Sequence, residues 1–144
     1  MQFKQHQNTY FVYLEKGESV IEVLTKFCKD HNILNGHLSG IGAMNNIEIG
    51  SYDTSKNEYI KKTYKNDHEL ITTQGNIMLL DGEPFIHAHI TIGNHNMEIF
   101  GGHLFGMNVA VVGEFIIHKV DGNSKRSFND EIGLAVWDLG KSNH

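Results

Sequence analysis

Only one stretch of this 144-residue chain repeats its apolar residues at helical spacing. Val20, Ile21, Val23, Leu24, Phe27, Cys28 and His31 recur along it, while Glu22, Lys26, Lys29 and Asp30 take the other face. Gly17-Glu18-Ser19 opens the helix, and Ser19 with Glu22 has the form of a capping box. Asn32 and then Gly36 mark the exit. Almost everything else reads as strands. They are Tyr10 to Leu14, His37 to Ala43, Asn46 to Asp53, Glu58 to Tyr64, His68 to Leu80, Phe85 to Ile92, Met97 to Phe105, Val109 to Val120 and Gly133 to Leu139. Thr54 to Asn57 is the turn of a hairpin, and the polar run Asp121 to Asp130 reads as a loop. The runs lie too close together for βαβ crossovers. The expected fold is α+β, a mostly antiparallel β-sheet with one main helix packed on one face. No linker or repeat interrupts it, so one domain is expected over residues 1–144, with its core at about residues 10–139.

Charge narrows the partners. The net charge is -5, and Arg126 is the single arginine. Binding to a phosphate backbone needs clustered cations. Lys56, Lys61, Lys62 and Lys65 come closest to a cluster, and they read as a solvated strand edge that discourages aggregation. No apolar run reaches the ~20 residues of a membrane span. Met1 to Thr9 is polar, so a cytoplasmic setting is expected. Cys28, the only cysteine, cannot pair within the chain or build a thiolate zinc cluster, and it sits on the apolar stripe as a core residue.

The chemistry concentrates in histidines. Side chains alternate along a strand, so His87 and His89 project to one face. A three-residue loop, Asn94 to Asn96, would set His87 opposite His103 and His89 opposite Gly101, close enough for imidazoles to share an ion. A two-residue turn at Met107-Asn108 would then place Gly101 opposite Glu114 and His103 opposite Val112. This register sorts Ile86, Ala88, Ile90, Ile92, Phe100, Leu104, Val109, Val111, Phe115 and Ile117 onto the other face, to pack on the helix. The glycines beside the histidines would leave room for an ion or ligand. Three imidazoles suit Zn²⁺ and leave a fourth position for water, whose pKa zinc would lower. Glu114 would serve as a base or orient a histidine. An isolated His-x-His pair is more often structural than metal-binding, and the third histidine in register is what raises the metal reading. His37, His68, His95 and His118 read as surface or hydrogen-bonded residues, and the terminal His144 as disordered. Ser39 lacks the strand–turn–helix setting of a nucleophile elbow. The histidine face also carries Phe85, Ile99, Phe105, Ala110, Val112 and Ile116, so it is expected to meet another subunit.

Several motifs occur in a characteristic order. They are Leu38-Ser39-Gly40-Ile41-Gly42-Ala43, Gly75-Asn76, Pro84-Phe85-Ile86-His87-Ala88-His89, Gly101-Gly102-His103-Leu104, and the segment Ala110 to Phe115. Together they resemble the plants-and-prokaryotes conserved domain family in its single-domain prokaryotic form, over about Tyr10 to Leu139. The resemblance implies an antiparallel sheet with a packed helix, assembled as a homotrimer. It implies that His87, His89 and His103 match positions where prokaryotic members can hold zinc, and that Glu114 matches a recurrent acidic position. Plant members join the domain to AT-hooks, Arg-Gly-Arg-Pro segments that enter the minor groove, and no such segment occurs in this chain.

Three readings stand at this level. One is a zinc-binding trimer that binds or hydrolyses a small molecule. Another is a DNA-binding or regulatory protein. The last is a structural trimer whose histidines, with or without a closed zinc site, fix subunit packing.

Overall fold

The computed structural model describes residues 1–140 of the chain. In order, its elements are β1 (Gln2–His6), β2 (Thr9–Glu15), α1 (Val20–Asp30), β3 (Asn35–Asp53), β4 (Glu58–Tyr64), β5 (His68–Leu80), β6 (Glu83–Gly93), β7 (Ile99–Val120), β8 (Lys125–Asn129) and β9 (Leu134–Asp138). Strand pairing is antiparallel except for one parallel bridge between Leu79 on β5 and Lys125 on β8. The mostly antiparallel sheet with one helix is therefore the fold.

Four strands close on themselves. β3 pairs with both β5 and β7, and β6 pairs with the same two strands. Closure gives the apolar side chains a shared interior. Leu38, Met44, Ile47, Leu70, Ile77, Ile92 and Phe115 are buried there. Packed against β6 and β7, α1 adds Val20, Leu24, Phe27 and Cys28 to the same core.

The helix ends differ. Ser19 is the N-cap residue, but its side chain caps nothing, so the box expected with Glu22 does not form. Ser19 is instead held by a backbone bridge to Asn108 on β7. At the exit Asn32 takes a left-handed φ of 52°, and the Ile33 N–H donates to the Cys28 carbonyl at 2.8 Å.

The structure corrects several strand boundaries: β1 forms within Met1 to Thr9, where no strand is expected, and His37 to Ala43 and Asn46 to Asp53 belong to one strand, β3. Met107 and Asn108 do not form a turn: β7 runs unbroken from Ile99 to Val120. The apolar pattern does change parity there, since Leu104 and Met107 are both buried. Irregular pairing produces the change. The register against β3 slips between Asn45 and Ile49, where Asn46 has a φ of 48°. Val111, expected in the core, is exposed; it lies in a second irregularity between Val109 and Gly113, which pair with Met44 and Gly42. The polar run Asp121 to Asp130 is no simple loop either, since it contains β8, paired in full with β9.

Candidate metal centre

Backbone pairing builds the histidine cluster. His89 on β6 lies directly opposite His103 on β7, and Gly93 opposite Ile99. The connection is thus Asn94 to Glu98, two residues longer than the loop expected from sequence. Asn94 accounts for the length: its Oδ1 accepts from the Asn96 and Glu98 N–H groups, and Met97 takes a φ of 62°. A shift of two residues preserves the face of every side chain. His87, His89 and His103 therefore still converge, with one ligand atom from each within 4.8 Å of the others.

Their ring centroids are 4.9 Å (His87–His103), 5.2 Å (His87–His89) and 5.4 Å (His89–His103) apart. His89 is exposed, while the other two are half-buried. Burial pushes the His87 imidazole down to about 4, helped by the Arg126 charge and by His89. His103 is also pushed down to about 4, by burial first and then by its neighbours His87, His89, Lys61 and Arg126. Both rings are neutral at physiological pH, the form that can ligate a metal. The Nδ1 of His103 is buried and has no hydrogen-bond partner. An orphaned imidazole nitrogen among two further imidazoles fits a borderline-soft divalent cation.

Other elements wall the cluster. Tyr59 on β4 packs on His103 at 4.8 Å between centroids, and Phe105 packs on it at 4.7 Å. Lys61 lies 3.7 Å over the Phe105 ring. From β8, Arg126 reaches across β5 to His87. Its Nη2 donates to Asn76 Oδ1 at 2.8 Å and contacts His87 Nδ1 at 2.9 Å, and its Nη1 donates to the Ala135 carbonyl. Sequence reasoning missed Tyr59, Lys61, Asn76 and Arg126. Two signals were available: Gly75-Asn76 stands among the ordered motifs, and Arg126 is the sole arginine among many lysines.

Glu114 is not brought to the histidines. It lies eleven residues beyond His103 on β7, up to about 36 Å of strand. There it pairs with Tyr13 on β2 and Ile41 on β3. The glycines also play a different part from the one expected. A Cβ on Gly102 would stand 2.7 Å from the Gly50 carbonyl oxygen, and one on Gly101 2.8 Å from that of Ile90. Both permit close backbone approach and do not open space for a ligand. Of the four histidines read as surface or hydrogen-bonded, His37 bonds Gln74, His68 the Asn66 carbonyl and His118 Thr9, and His95 is exposed. His144 lies outside the described residues.

The model of the Plants and Prokaryotes Conserved (PCC) domain matches residues 1–121. The chain belongs to this family. Its match ends before β8, so the PCC model does not reach Arg126. A plant- and prokaryote-conserved protein of Pyrococcus horikoshii is 35% identical, with 97% of this chain and 96% of that one covered and a TM-score of 0.85. A metal-containing protein of Archaeoglobus fulgidus is 30% identical, covering 94% and 96%, with a TM-score of 0.84. A candidate DNA-binding protein of Bacteroides thetaiotaomicron is 28% identical, covering 96% of each chain, with a TM-score of 0.93. No curated protein matches this PCC chain.

Proposed function

We propose that this PCC-domain chain is a homotrimeric zinc-binding protein that binds or transforms a small molecule at His87, His89 and His103. The observation that carries the reading is the convergence of three imidazoles on one face, with a buried His103 nitrogen left unpartnered. The metal-containing relative from Archaeoglobus fulgidus supports it. A bound zinc ion would supply Lewis acidity toward a ligand or water at its remaining position. The chain's own contribution is to hold His87 and His103 neutral and half-buried, and to seat His103 against Tyr59 and Phe105.

The trimer reading rests on a different surface. Phe11, Tyr13, Ile41 and Ile116 are exposed around Glu114, along a groove of about 700 Å³ on the β2–β7–β3 face. An apolar surface of this kind suits burial between subunits. Light scattering should give three times the 16.3 kDa chain mass, and a monomer at micromolar concentration would defeat this part.

The metal part is tested by zinc content per subunit in protein purified without a histidine tag or chelator. Stoichiometric zinc that is lost in the triple alanine variant of His87, His89 and His103 is the expected result. No metal in either protein, even after zinc is added back, would sink the reading and leave DNA binding or regulation. That alternative draws on the Bacteroides relative, but Lys56 and Lys61 already pair with Asp53 and Glu48. DNA binding would show a steep loss of affinity with salt.

A further inference from the structure

The most unusual group near the histidines is a cation. Arg126 is 7% exposed, and among the described residues no carboxylate lies within 4.0 Å of it. Buried charges are ordinarily paired, because desolvating an ion without a counter-charge is costly. The guanidinium is also incompletely satisfied: its Nε is buried without a hydrogen-bond partner.

Its contact with His87 sharpens the point. A guanidinium only donates, so in this arrangement His87 Nδ1 is the acceptor. Metal-bound histidines usually show the reverse, donating their second N–H to a carboxylate or carbonyl. Were His87 to hold a metal through Nε2, its Nδ1 would carry the proton and two donors would face each other. Arg126 Nη2 would then keep Asn76 Oδ1 and have its other N–H without an acceptor. Nε and Nη2 share one edge of the guanidinium, and that edge matches the two oxygens of a carboxylate or phosphate. Lys61 adds a second positive charge on the Phe105 side. It pairs with Glu48 at 3.6 Å, whereas among the described residues Arg126 has no carboxylate partner.

We propose that the three-histidine centre takes a small-molecule oxyanion, a carboxylate or phosphate monoester, and that the Nε–Nη2 edge of Arg126 selects it. This rests on the metal reading above. It adds the ligand's charge and the residue that reads it.

Cobalt(II) can replace zinc and reports its surroundings through its visible spectrum. Acetate and methyl phosphate are titrated into cobalt-loaded wild type, Arg126→Gln and Arg126→Lys, with folding of each followed by circular dichroism. Wild type should bind at least one anion at or below about 10 mM, with a spectral change. Arg126→Gln should keep its cobalt and lose about tenfold or more in anion affinity, and Arg126→Lys, which keeps the charge without the fork, should fall between them. Cobalt bound to wild type with no response to either anion would overturn this proposal and leave the metal reading intact. Equal anion affinity in a folded Arg126→Gln would overturn Arg126's role. Failure of wild type to bind cobalt or zinc would remove both ideas together.

Discussion

Gly102 on β7 approaches Gly50 on β3 so closely that a Cβ on Gly102 would stand 2.7 Å from the Gly50 carbonyl oxygen. The obstacle is backbone, which cannot swing aside as a flexible side chain would. His103 follows Gly102 and itself pairs with Gly50, so any shift here moves a cluster histidine. Gly102→Ala should destabilise the fold by about 1–3 kcal/mol in urea unfolding, and should weaken zinc binding as well. Unchanged stability would show that β3 and β7 part more easily than this contact implies.

The pH dependence of the metal-free protein follows from His87 and His103. Each is held at about 4, below the ordinary 6.5. As pH falls from 6.5 toward 4, the unfolded chain takes up protons that the folded chain refuses. Stability present above pH 6.5 is therefore lost progressively down to about pH 4. His103→Asn cannot titrate and should flatten that loss. Parallel curves for the variant and wild type in denaturation series across this range would refute the assignment.

The exposed patch on β2, β7 and β3 gives a third test. Ile41 lies opposite Glu114, and Ile116 is two residues further along β7 on the same face. Ile41→Glu would set a second carboxylate beside Glu114 where apolar burial is proposed. The expected outcome is a fall in scattering mass toward the monomer, with the circular dichroism spectrum retained. A folded variant of unchanged mass would move the subunit contact elsewhere.

Much of the site was readable because a strand has a period of two. Strand parity puts His87, His89 and His103 on one face even from a register two residues off the observed one, because such a shift leaves faces unchanged. The length of the loop was not readable. It depends on how the Asn94 side chain folds onto two N–H groups, a local competition that composition does not decide.

Glu114 shows the opposite case. A parity change between Leu104 and Val109 is compatible with either a turn or a bulge. The turn would have returned Glu114 to the histidines, and the bulge carries it away along β7. Only the partner strand chooses between them. Arg126 was hidden for a related reason. Its polar segment has little strand character alone, and it becomes β8 through pairing with β9 and one bridge to β5.

The hairpin of β6 and β7 has a consequence for the order of assembly. All three imidazoles come from these neighbouring strands, joined by Asn94 to Glu98, whereas Arg126 arrives from β8. Short loops close at lower entropic cost than long ones, and local pairings form sooner. We expect the cluster to be a product of early folding and Arg126 a late arrival. In pulse-labelled hydrogen exchange, amides of β6 and of residues 99–103 should gain protection before those of β8. Simultaneous protection would mean that the sheet forms in one cooperative step. If the hairpin leads, a nascent chain has its histidines gathered before the guanidinium reaches them, and an ion present at that moment meets less positive charge than in the finished fold.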